Sequence, residues 1–173
     1  MKVYGFPGST CTRKVLMTLH EKNCPYAFIP VDLGKGEHKQ PEHLARQPFG
    51  VVPVLDHDGF VLYESRAIIR YLDAALVGEK LTPTDLKRFG EMEQWIGIEQ
   101  SYFSGPAIQL IKELYFGKMQ KIAPDTAIIE AAKPKVEYVL DVAEAQLMKT
   151  PYFAGDTFSL ADISWMPYVD YLF

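Results

Sequence analysis

The periodicity of this chain changes once, and that change limits what it can fold into. Up to about residue 75, short alternating runs exchange with amphipathic helical ones, whereas beyond Lys87 only helical spacing remains. With 173 residues the chain has room for one large domain or two small ones. The change of period therefore reads as a boundary. Residues 1–76 make an α/β unit, 77–86 a linker carrying Gly78, Pro83 and Asp85, and 87–173 an all-α unit.

Within the first unit, residues 2–5 read as a strand and 12–22 as a helix with Val15, Leu16 and Leu19 on one face. Residues 26–31 predict a second strand, and 41–46 a short helix opened by proline. Asp58-Gly59, between 52–56 and 60–63, is a strong hairpin signal. Ser65 then caps a helix carrying Ile68, Ile69 and Leu72. Strand, helix, strand, helix, hairpin, helix is a mixed four-stranded sheet with helices on its faces, the order of the thioredoxin-like fold.

In the second unit, residues 86–98, 108–115, 128–147 and 160–172 favour helix, with Pro106, Pro124, Pro134 and Pro167 expected to kink or interrupt some of them. The clearest start signal is Phe158-Ser159-Leu160-Ala161-Asp162-Ile163, a capping box with a hydrophobic staple.

Composition narrows the partners. Hydrophobic residues are 48% and charged residues 23%, which excludes a disordered chain. The formal charge of −4 has no clustered basic run, so a nucleic-acid partner is not expected. The N-terminus lacks a signal-peptide h-region, and no stretch approaches the roughly 18 apolar residues of a membrane span. A cytoplasmic protein without a membrane partner is the expectation. Cys11 and Cys24 form no C-x-x-C, and His20, His38, His43 and His57 are scattered, so neither a disulfide framework nor a metal site is expected.

Four segments carry candidate chemistry. In Pro7-Gly8-Ser9-Thr10-Cys11-Thr12-Arg13, hydroxyls precede a helix whose free amides favour an anion, a thiolate included; a plain helix cap by Ser9 or Thr12 explains the same residues. Ser9 and Thr12 keep an S-x-x-T spacing where a redox thioredoxin carries C-x-x-C. In Phe49-Gly50-Val51-Val52-Pro53-Val54-Leu55, a proline opens a strand. Only about 5% of X-Pro bonds are cis, so sequence alone favours trans, while a cis bond would turn the amide and carbonyl of Val52 outward for a peptide ligand. Glu64-Ser65 suits an amino-acid head group, and Gly36-Glu37-His38-Lys39 could hold a second carboxylate; each is also compatible with ordinary surface or capping roles.

Together these segments stand in the order and spacing of the cytosolic glutathione transferases, most similar to the phi-like class that uses serine. The likeness runs through Lys2-Val3-Tyr4-Gly5, Ser9 to Leu16, Glu21-Lys22-Asn23, Val31-Asp32-Leu33, Gly36 to Lys39, Pro48 to Leu55 and Leu62 to Ile68, and so covers nearly all of residues 1–75. In the helical half it rests on Trp95 and on Ala154-Gly155-Asp156 running into the capping box.

The resemblance implies that Ser9 donates to the glutathione sulfur and that His38 and Lys39 meet the glycine carboxylate. It further implies that Val52 pairs with the cysteinyl unit ahead of a cis Pro53, and that Glu64 with Ser65 holds the γ-glutamyl end. Phe49 resembles the aromatic key that enters a partner subunit, implying a homodimer. The implied activity is conjugation of glutathione to hydrophobic electrophiles, a detoxification chemistry, with glutathione as co-substrate and no metal. The electrophile is expected against apolar side chains of the second unit around Tyr102, Phe103, Ile108 or Tyr115, which are otherwise core residues.

Val51 departs from the glutamine that phi-like members often carry there, and family members usually continue for one or more helices past the position of Phe173. Two other readings remain. Cys11 near a helix start could serve a glutathione-dependent thiol-disulfide reductase or peroxidase, or be a small core residue. A non-catalytic glutathione-binding or ligand-binding module is the rival from another class.

Overall fold

A computed structural model describes residues 1–173 and divides into two compact units, Met1–Lys80 and Leu81–Phe173. In the first, β1 (Lys2–Gly5), α1 (Thr10–Glu21), β2 (Ala27–Pro30), α2 (Pro41–Leu44), β3 (Val54–His57), β4 (Phe60–Tyr63) and α3 (Ser65–Ala75) follow in order. The strands form one sheet in the order β2-β1-β3-β4, with β2 parallel to β1 and the other pairings antiparallel. This is the thioredoxin-like arrangement expected from the element order.

The elements form for local reasons. Ser9, in extended backbone, accepts from the Thr12 amide and starts α1. Asp58 and Gly59 both take positive φ, 53° and 92°, as a tight hairpin between β3 and β4 requires. Val3, Val15, Leu19, Leu55, Ile68, Ile69 and Leu72 are fully buried and make the unit's core. Val3 opposes Leu55 across β1 and β3, so core packing selects the sheet register.

One start differs from expectation. Ser65 is the first helical residue of α3 rather than its cap; Glu64 occupies the cap position at φ 71° without a side-chain cap bond. A glutamate with positive φ leaves no mark in the sequence pattern.

In the second unit, α4 (Leu86–Ile98) is capped by Asp85 and continues through a π-helical turn, Glu99–Phe103, into α5 (Ser104–Ile111). A second π-helical turn, Lys112–Phe116, leads to the short α6 (Gly117–Met119). Pro124 stands in the break before α7 (Thr126–Leu147), whereas Pro134 and Pro167 lie inside α7 and α8 (Leu160–Leu172). Those two helices run on because losing one backbone bond leaves the flanking turns bonded.

α8 is the unit's buried axis. The Ser159 amide donates to Asp162 Oδ2 at 2.8 Å, and the Ala161 amide donates to Ser159 Oγ at 3.3 Å. Trp165 stacks on Phe103, meets Phe153, and donates its indole N–H to the Trp95 carbonyl at 2.9 Å. No helix in either unit is long and apolar enough to cross a membrane.

A buried ion pair fastens the first unit. The Lys22 ammonium, fully buried, sits against Asp73 of α3 and donates to the Glu79 carbonyl. Removing one partner of such a pair leaves an uncompensated buried charge. Asp73→Ala is expected to destabilise the unit by about 3–5 kcal/mol in urea denaturation. The double replacement Lys22→Met with Asp73→Leu should recover most of that loss.

Candidate functional site

The sheet register gathers the candidate segments. β1 ends at Gly5, beside Pro30 at the end of the parallel β2. β3 runs the other way, so its first residue, Val54, lies opposite Tyr4, and Tyr63 at the end of β4 pairs with Val54. The segments leading to Ser9 and to His38-Lys39, the segment entering β3 through Val52-Pro53, and the Glu64-Ser65 junction thus all leave from one end of the sheet.

At that end Ser9 Oγ accepts from the Thr12 amide at 3.3 Å, which leaves the hydroxyl proton free to donate elsewhere. Thr12 lies beneath it, fully buried, and Gly5 makes room for it: a Cβ on Gly5 would come within 2.5 Å of Thr12 Cγ2. Cys11, half-buried, is the second residue of α1.

The Val52–Pro53 peptide is cis, against the trans form that base rate alone favours and in line with the resemblance. Val52 makes no backbone hydrogen bond within the chain. Its predecessor is held firmly: the Val51 amide donates to Gln47 Oε1 at 3.1 Å, and the Val51 carbonyl lies 2.8 Å from His43 Nε2. Val51's side chain is exposed.

Lys39 donates to the Phe49 carbonyl at 3.2 Å. Gly50, at φ 61°, lies under it; a Cβ there would meet Lys39 Cδ at 2.8 Å and the His38 carbonyl at 2.9 Å. Phe49 is 67% exposed, its ring edge-on to Tyr63. His38 keeps Nδ1 buried without a partner, and burial, followed by the charges of Lys39 and His43, holds its pKa below the usual histidine value.

Ser65 is buried in the first turn of α3. Glu64 before it is exposed, and its carbonyl accepts from the amides of Ala67 and Ile68 at 2.9 Å each. Positive φ in a glutamate is strained by about 1–3 kcal/mol, a feature that concentrates at functional sites.

In the helical unit, Phe103 is wholly buried against Trp165 and Tyr168 and belongs to the core rather than to any substrate surface. Tyr102 and Tyr115 are exposed and Ile108 is half-buried. No group of three or more His, Cys, Asp or Glu side chains is placed to share a metal ion.

His43, Gln47 and Gly50 are site-supporting residues that sequence reasoning did not single out. The available signal was the recurrence of polar side chains at Lys39, His43 and Gln47, four residues apart around a proline-started turn.

Comparison with known proteins places this chain in a family. The Glutathione S-transferase, N-terminal domain family matches residues 3–80 and the Glutathione S-transferase, C-terminal domain family residues 106–173. Glutathione S-transferase F9 of Arabidopsis thaliana is 40% identical over 174 residues, covering 99% of this chain and 80% of its own length. The crystal structure of glutathione transferase F7 from Populus trichocarpa matches with a TM-score of 0.91 at 39% identity, covering 99% of this chain and 82% of that one. Glutathione S-transferase I from maize, in complex with an atrazine glutathione conjugate, matches with a TM-score of 0.85 at 32% identity, covering 97% and 79%. The chain belongs to the glutathione S-transferase family, and its likeness is to the phi-like class.

The depressed His38 pKa has a consequence for stability. Below about pH 6.5 the unfolded chain takes up a proton at His38 that the native state resists, so stability falls on acidification until the native value is reached. His38→Gln should flatten this part of the stability profile, measured by urea denaturation from about pH 7.5 to about pH 5.

Proposed function

We propose that Ser9 stabilises the thiolate of bound glutathione and that this thiolate attacks hydrophobic electrophiles. The observation that carries the reading is the Ser9 hydroxyl at the α1 N-terminus, its oxygen engaged by the Thr12 amide and its proton unspent. Accepting one hydrogen bond polarises the hydroxyl as a donor, and the helix N-terminus favours negative charge beside it. Both effects favour thiolate over thiol, so more sulfur is ionised at neutral pH.

Conjugation then forms a carbon–sulfur bond. With an aryl chloride, the sulfur pair attacks the ring carbon, the carbon–chlorine bond breaks, chloride leaves, and the thiol proton has already passed to solvent. The maize relative bound to an atrazine glutathione conjugate supports this product class. Tyr102, Ile108 and Tyr115 are the apolar and aromatic candidates for contact with the electrophile.

The tripeptide's remaining groups fit the other segments. Lys39 supplies a cation and His38 a neutral ring for the glycine carboxylate at neutral pH. Val52 offers an unused backbone amide to the cysteinyl unit ahead of Pro53. Glu64 accepts from the γ-glutamyl ammonium while Ser65 donates to its carboxylate. Exposed Phe49 enters a partner subunit in a homodimer. Residues 1–76 act as the glutathione-binding domain, 77–86 as linker and 87–173 as the helical domain of a cytoplasmic enzyme.

Ser9→Ala should retain binding to immobilised glutathione while conjugation of chlorodinitrobenzene at neutral pH falls by about 10²–10³-fold, the usual effect of losing one oxyanion donor. The rate should recover as pH rises past the ordinary thiol value of about 8.5. A wild-type rate in the variant contradicts the mechanism, and glutathione binding without turnover of varied electrophiles by the native protein contradicts the enzymatic reading.

A further inference from the structure

The loop entering β3 is fastened by three side chains, two of which, His43 and Gln47, have no part in the proposed contacts with glutathione. Lys39, His43 and Gln47, each four residues from the next, reach the Phe49 carbonyl, the Val51 carbonyl and the Val51 amide at 3.2, 2.8 and 3.1 Å. His43 is 4% exposed and Gln47 is fully buried, so both bonds are shielded from competing water.

One of these contacts bears on the neighbouring residue. The Val51 carbonyl and the Val52 N–H belong to the same peptide group. The only cis bond in the chain lies one step further on, at Val52–Pro53. The Val51–Val52 peptide is therefore trans and planar, and its C=O and N–H point in opposite directions. A carbonyl only accepts, so His43 Nε2 must carry the proton. Fixing the carbonyl toward His43 inside the unit fixes the Val52 N–H to aim the opposite way, and Val52 makes no backbone bond within the chain. A hydrogen bond accepted at C=O also polarises the peptide and strengthens its N–H as a donor.

Gln47 adds a second restraint. Its Oε1 takes the Val51 amide, so the peptides on both sides of Val51 are held. Its Nε2 is buried without a partner, an unfavourable state for a polar group. An amide kept in such a place, with one end unsatisfied, is oriented for the contact its other end makes.

We propose that His43, supported by Gln47, is a positioning residue that orients the Val52 N–H toward the backbone carbonyl of a bound thiol peptide and so sets glutathione affinity without touching the ligand. The proposal rests on the glutathione reading of this site and adds a source for its affinity that lies outside the contacting residues.

The test uses the full chain, glutathione as titrant, and chlorodinitrobenzene as electrophile. His43→Phe keeps an aromatic ring but has no N–H, and His43→Gln restores a donor. His43→Phe should raise the Kd and KM for glutathione about tenfold, leaving the KM for the aryl chloride and the pH at which bound thiol ionises unchanged. His43→Gln should recover at least half of the loss. Gln47→Leu, which removes the acceptor for the Val51 amide, should show the same glutathione-specific rise and decides the matter if His43→Phe does not fold.

Folded His43→Phe or Gln47→Leu with glutathione KM within twofold of native overturns the proposal. So does a parallel rise in KM for both substrates that His43→Gln fails to rescue. Native protein that binds no glutathione overturns the underlying reading as well, which distinguishes the two failures.

Discussion

The pairing of β1 with its two neighbours is the constraint on which the rest of the first unit depends. Parallel to β2 and antiparallel to β3, β1 brings four separate stretches of chain to one end of the sheet. That register is held by the core: Val3 and Leu55 face each other fully buried, and a slip of one residue would turn both to the opposite face. The same slip would shift the segment entering β3 against the end of β1. Apolar packing thus sets the geometry of a polar site.

Around this frame the unit tolerates several unfavourable local states. Glu64 holds a positive φ, and Gln47 Nε2 and His38 Nδ1 are buried without partners. Each lies in or beside a stretch proposed to contact glutathione. The buried Lys22–Asp73 pair, at the other end of α1 from Ser9, shows the complementary case of a polar contact that fastens two helices and the chain beyond them.

Local signals were legible in the residues themselves. Ser9 before an amphipathic run, Asp58-Gly59 between two strands, Pro41 at a helix start and the Ser159–Asp162 capping box all act through neighbours within a few positions, and each appears where its chemistry directs. Ser65 reads as a cap because a hydroxyl before a helical run is the usual signature, and nothing in a glutamate announces a positive φ. Phe103 and Tyr102 adjoin in the chain and are equally aromatic, yet one is core and the other surface. Helical phase across the π-helical turn separates them, and sequence carries only its approximate period.

What the sequence determined by itself is the kind and order of the main elements, most of their turn and cap residues, and the family, since these follow from short-range propensities and from motifs in register. What only the tertiary structure decided is how His43 and Gln47 close on Val51, how Gly5 admits Thr12, and which end of the sheet gathers the site. These contacts join residues through a chain path whose turns must all be built first. A polar side chain that looks like solvated surface in one dimension becomes a buried hydrogen-bond partner once the loop folds back over it.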